Sequence, residues 1–318
     1  MFRTLVLFVG FIILFQCKKG QNPIQLALHS HNDYEQSIPF WTAYESGLNS
    51  IEVDVFLKND SLYVTHSESE IIKDRTIESL YLIPLSKVIS SQSDSMKKLQ
   101  ILVDIKSESQ LTLNKLEKTL NYYPEIIDKE NISIVISGNR PDPKKYVDYP
   151  DFIVFDYQSL DPLENDKIWS KIALISLNFK NYSSWNGVGN ISAEDFIKLD
   201  SIIRLAHSYG KPFRFWGTPD SEIAWEVFRK LRVDYINTDK PVQVAALLDH
   251  AVQSVACGQY HTIISTEGGI AFACGKNDYG QLGLEQAPSS SSAGQEGYRL
   301  PTIVGGPLEY AFVVQLRC

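Results

Sequence analysis

Apolar residues recur in short runs separated by amphipathic stretches. Runs at Leu26–Leu28, Ser50–Phe56, Gln100–Ile105, Ile132–Ser137, Phe152–Phe155, Ile172–Leu177, Phe213–Trp216 and Val233–Asn237 predict eight strands. Helical patterns lie between several of them. Phe40–Ser46 ends at Gly47, a helix-stop residue. Ser107-Glu108-Ser109-Gln110 has the form of a capping box before Leu111, Leu113, Leu116 and Leu120, which recur at helical spacing. Ser192 and Ser221 predict N-caps for helices ending near Tyr209-Gly210 and at Leu231. Eight strands alternating with helices predict an α/β fold, a (β/α)8 TIM barrel. The interval from Ser137 to Phe152 is poor in helix signal, so the expected barrel is distorted.

The polar residues that interrupt this pattern fall where such a barrel carries its chemistry, at the carboxyl ends of strands. His29 and His31 follow the first run, Glu52 and Asp54 share one face of the second, Asp104 and Lys106 end the third, and Arg214 and Trp216 end the seventh. Leu62–Val64 predicts an extra short strand that delivers His66 to the same mouth. Two carboxylates on one face of a buried strand need a metal, another cation or water. Glu52, Asp54 and Asp104 would supply oxygen ligands to one Mg²⁺ or Ca²⁺. His31 and His66 suit general base and general acid, with His29 a second candidate or a hydrogen-bonded histidine of the barrel wall. Lys106 and Arg214 could bind an anion, with Trp216 and Asn32 lining the pocket or serving core and turn. Asp33, Glu35 and Glu68–Glu70 have no strand position and read as solvated loop.

Among 318 residues, a net charge of −8 without any basic stripe argues against a nucleic-acid partner. G-x-S-x-G, H-E-x-x-H and G-x-x-x-x-G-K are absent, which leaves serine-hydrolase, zincin and P-loop chemistry without support. Residues 1–17 hold an apolar run from Leu5 to Phe15 and then Cys17, the form of an export signal with Cys17 as a lipidation site. That predicts an exported protein of the cell envelope or periplasm, membrane-anchored if Cys17 is lipidated and secreted if the signal is simply cleaved. The domain plan is thus 1–17 leader, 25–247 barrel and 249–318 appendage.

HSHNDY, IEVDV, His66, ILVDIK and RFWGTPD resemble the phospholipase C-like phosphodiesterase superfamily, which includes glycerophosphodiester phosphodiesterases and spider-venom sphingomyelinase D. The resemblance is nearest to the altered-inheritance-of-mitochondria branch. It implies a distorted barrel that cleaves a glycerophosphodiester or phospholipid-like substrate with a divalent ion and two histidines, and a tryptophan, here Trp216, in the pocket. The H-R-G opening common in that superfamily is absent, so His29 and His31 both remain candidates. Val252–Gly283 resembles one RCC1 repeat, a unit that cannot bury its own faces alone. The competing expectation is an idle barrel that binds a ligand or a protein at the envelope.

Overall fold

The computed structural model describes residues 26–91 and 96–248, together with the backbone of four short strands, 252–257, 261–266, 271–275 and 311–313. The leader, Cys17 and the low-complexity stretch within 276–310 lie outside the described residues. No helix among those described is long and apolar enough to cross a membrane.

All eight predicted strands form. They are β1 (Ala27–Ser30), β2 (Ser50–Lys58), β4 (Leu99–Ile105), β5 (Ile132–Gly138), β6 (Ile153–Tyr157), β7 (Ile172–Asn178), β8 (Phe213–Trp216) and β9 (Tyr235–Thr238), with β3 (Ser61–Val64) as the predicted extra strand. The order β1-β9-β8-β7-β6-β5-β4-β2 is parallel throughout, and the β1–β2 pairing closes it into a barrel. β3 adds antiparallel to the far end of β2, pairing Val55 with Val64 and Lys58 with Ser61.

The helices are α1 (Trp41–Glu45), α2 (Ile83–Ser91), α3 (Ser109–Leu120), α4 (Pro124–Ile127), α5 (Asp166–Ser170), α6 (Ala193–Ser208), α7 (Glu222–Leu231) and α8 (Pro241–Leu248). Ser192 and Ser221 cap α6 and α7 as predicted, accepting from Asp195 N and Ala224 N. At α3 the cap is one residue later than the pattern suggested. Glu108 accepts from Gln110 N and Leu111 N, while Ser107 Oγ accepts from Leu57 N and so ties the helix entry to β2. The helix-poor interval holds only a 3₁₀ segment, Pro143–Asp148.

Alternation along the strands divides the core. Ile51, Val53 and Val55 on β2 and Ile101, Val103 and Ile105 on β4 join the apolar shell that includes Leu113 and Leu116 of α3. The opposite faces point into the barrel. There Leu102, Val135 and Leu174 form a separate apolar floor, flanked by Val154 and Tyr235. The appendage forms β10 (Val252–Cys257), β11 (His261–Thr266) and β12 (Ala271–Gly275), paired antiparallel, with β13 (Ala311–Val313) parallel to β12.

Candidate functional site

Two residues beyond the floor, the inward positions change character. Asp104 follows Leu102, Ser137 follows Val135, Asp156 follows Val154 and Ser176 follows Leu174. The register sets Asp54 beside Asp104 and Asp104 beside Ser137. Glu52, Asp54 and Asp104 each offer an oxygen, and these lie within 4.8 Å of one another. Asp54 Oδ2 accepts from Tyr34 at 3.0 Å, contacts His66 Nδ1 at 2.8 Å and lies 3.2 Å from Lys106 Nζ. Its Oδ1 is buried without a hydrogen-bond partner among the described residues, as is Asp104 Oδ1.

Gly138 makes room for Asp104. A Cβ there would come within 1.9 Å of Asp104 Oδ1, and the residue adopts φ +67°, which favours glycine. Burial and then the charge of Glu52 raise both aspartates, Asp104 to about 6. Three hard oxygen donors with two buried oxygens unpaired fit Mg²⁺ or Ca²⁺.

The three histidines occupy different depths. His29 is 0% exposed, with Nδ1 2.7 Å from Ser50 Oγ and Nε2 2.8 Å from Glu52 Oε2. Gln100 donates to Ser50 Oγ at 2.7 Å, so Ser50 links β4 to the His29 ring. Burial, with the nearby Arg214 charge, pushes His29 down to about 3 and keeps it neutral. It holds Glu52 from within the barrel, the position of the hydrogen-bonded wall histidine that was the alternative reading for it.

His31 is at the mouth. Its Nδ1 is 2.7 Å from Asp239 Oδ1, leaving Nε2 directed inward, 3.9 Å from Glu52 Oε1. Burial opposes its charge, but the Asp239 hydrogen bond and the two carboxylates outweigh it and raise its proton affinity. His66 is 65% exposed and reaches Asp54 from β3 through Nδ1.

Arg214 is 2% exposed, and its guanidinium is spent inside the barrel. Nη1 donates to Glu52 Oε2 at 2.9 Å and Asn237 Oδ1 at 3.1 Å and contacts His29 Nε2, while Nη2 lies 3.8 Å from Asp156 Oδ2. The expected anion-binding fork therefore grips protein carboxylates. Asp156 Oδ2 also accepts from Ser137 at 2.9 Å and Ser176 at 2.7 Å. Trp216 is half-buried, with Nε1 unpartnered within the protein.

Asn32 takes a left-handed turn, φ 45° and ψ 44°, immediately after His31. Asp33 overturns its reading as solvated loop. It is fully buried and accepts from Ser30 Oγ at 2.9 Å, Phe40 N at 2.6 Å and Tyr81 OH at 3.0 Å. It thereby holds Phe40 at φ 66°, a strained value for a bulky residue. Glu35, Glu68 and Glu70 are exposed, as expected.

A cavity of about 600 Å³ opens beside His31, lined among others by Lys180, Trp185, Asn186, Asn237 and Asp239. Sequence reading missed Asp239, Asp156 and Tyr34. The usable signal was for Asp156 alone, since it repeats on β6 the apolar-then-acidic step of β4.

Three family models match the chain. The AIM6-like phosphodiesterase domain matches residues 18–103, the Glycerophosphoryl diester phosphodiesterase family 212–242, and the Regulator of chromosome condensation (RCC1) repeat 252–281. The first covers His31, Glu52, Asp54 and His66, and the second covers Arg214, Trp216 and Asp239. An altered inheritance of mitochondria protein 6 homolog of Arthroderma benhamiae is 32% identical over 37% of this chain and 48% of its own. The match thus spans about half the length of that relative. Altered inheritance of mitochondria protein 6 of Kluyveromyces lactis is 28% identical over 69% of this chain and 71% of its own. A glycerophosphodiester phosphodiesterase structure from Agrobacterium tumefaciens aligns with 70% of this chain and 99% of its own, at 14% identity and TM-score 0.42, and adds nothing to the topology above.

Proposed function

We propose, starting from the fit of this chain to the phospholipase C-like phosphodiesterase superfamily, that the barrel is a metal-dependent phosphodiesterase acting on a glycerophosphodiester or phospholipid-like substrate. The observation that carries this reading is convergence. Three carboxylates within 4.8 Å of one another share one barrel mouth with two imidazoles, each tied to a carboxylate through Nδ1.

Glu52, Asp54 and Asp104 would hold the divalent ion, which when bound supplies positive charge against the phosphate oxygens. The protein's own groups then divide the proton work. Asp239 fixes His31 with Nε2 inward, and its raised proton affinity suits it to take the proton of the attacking hydroxyl. Asp54 fixes His66 from the opposite side, with Nε2 free to return a proton to the leaving alcohol oxygen. His29 and Arg214 position Glu52 and touch no reacting atom.

An idle binding barrel is the second reading. It draws on Lys106 and Arg214, which already neutralise the carboxylates as ion pairs. A panel of phosphodiesters assayed with and without EDTA separates the two. Turnover should need the divalent ion and fall at least a hundredfold in both His31→Ala and His66→Ala, as is typical for loss of a general acid or base. EDTA-insensitive behaviour with no turnover on any diester would leave the idle barrel standing.

A further inference from the structure

Lys106 lies within the carboxylate cluster. Its Nζ is 3.2 Å from Asp54 Oδ2 and 3.3 Å from Asp104 Oδ2, so one ammonium bridges two of the three acids of the triad. The backbone of Lys106 is anchored by its N–H to Val55 O at 2.9 Å, and the side chain is only 20% exposed. Glu52, the third acid, is matched separately by Arg214 at 2.9 Å. The five charges inside the cluster are therefore Asp54 and Asp104 against Lys106, and Glu52 against Arg214.

An ammonium and a hard divalent ion seek the same carboxylate oxygens. They differ in how they leave. Arg214 is walled in, whereas Lys106 sits at the end of its strand on a flexible stem, with an exposed path outward.

We propose that Lys106 is a tethered cation that holds Asp54 and Asp104 in the metal-free protein, and that a divalent ion binds by displacing its Nζ toward solvent. This rests on the metal-site reading given above. It makes the affinity for metal an exchange between two cations. Removing the lysine should therefore tighten metal binding while weakening the metal-free fold.

Calorimetric titration of the full chain with MgCl₂ or CaCl₂ alone, after EDTA dialysis, tests the exchange. Lys106→Met should bind at least about tenfold tighter than wild type, the size expected when one charge-assisted contact no longer competes. Lys106→Arg keeps the competing charge and should stay within about threefold of wild type. Lys106→Met should also melt below wild type without metal, with the gap closing at saturating Mg²⁺.

Wild-type protein gives an independent measure. Acylation of Lys106, read by mass spectrometry, should rise on adding Mg²⁺ relative to Lys58 and Lys115, which pair with other acids. Equal or weaker metal binding by Lys106→Met, or unchanged labelling of Lys106, would overturn the exchange while leaving the metal site intact. Binding of neither ion by any variant would bring down both. If Lys106→Met does not fold, the labelling result decides.

Discussion

The floor and the mouth of this barrel share the inward face of its strands, and on β4, β5, β6 and β7 they lie two residues apart, yet they are held by different physics. At the floor, Leu102, Val135 and Leu174 are fully buried and interchangeable in kind. Each contributes area removed from water, and losing one leaves a cavity. At the mouth, Glu52, Asp156, Arg214 and His29 are almost as deep but mutually dependent. Removing one leaves another buried and unpaired. Stability at the floor comes from area and packing; at the mouth it belongs to the network.

The sharpest way to break that contrast is Arg214→Met, which strands Glu52 and Asp156 without the cation between them. A loss of ~3–5 kcal/mol is expected from urea unfolding, and a loss under about 1 kcal/mol would show that the mouth is not neutralised through Arg214. Leu174→Ala comes next, at about 3 kcal/mol from the lost side chain and its cavity. It should leave the metal-induced rise in Tm intact. A diminished rise would show that the two layers are one mechanical unit.

The smallest effect tests the loop beside the mouth. Burial raises the Asp33 carboxyl above its ordinary 3.8, against three hydrogen bonds that pull it down. The folded chain thus holds that proton to higher pH than the unfolded chain does. Asp33 therefore penalises the fold least below pH 3.8, and its contribution falls as pH rises through the raised value. Asn at this position cannot titrate. Unfolding of wild type and Asp33→Asn across that range should show wild type losing ground to the variant as pH rises, and parallel curves would refute the buried charge.

Much of this was legible in the chain. Strands of a closed parallel barrel are buried on both faces and read as nearly unbroken apolar runs, which is why the eight runs stand out. Glu52 and Asp54 were conspicuous as a pair against Ile51, Val53 and Val55. Asp156 was not, because a single acid between Phe155 and Tyr157 looks like the end of a strand. Asp239 was hidden differently. It reads as turn chemistry in Thr238-Asp239-Lys240-Pro241, and its partner His31 lies 208 residues away. Asp33 was misjudged for the same reason, since its acceptors are satisfied by Tyr81 and Phe40 and nothing in the adjacent residues announces them.

The two histidines reach the mouth by different routes, and this has a consequence for how the site tolerates change in length. His31 is carried by a barrel strand, whereas His66 arrives on β3, the return arm of a hairpin whose two-residue turn is Asn59-Asp60. Both turn residues have positive φ, 48° and 60°, as the tightest hairpin connection of this hand requires. The turn therefore acts as a ruler. Because side chains alternate along a strand, one residue added or removed there would rotate every later position of β3 to the opposite side and carry His66 out of reach of Asp54. The closed ring of parallel strands does not include this turn, so a change of a single residue there would separate folding from chemistry more cleanly than a substitution at the site itself.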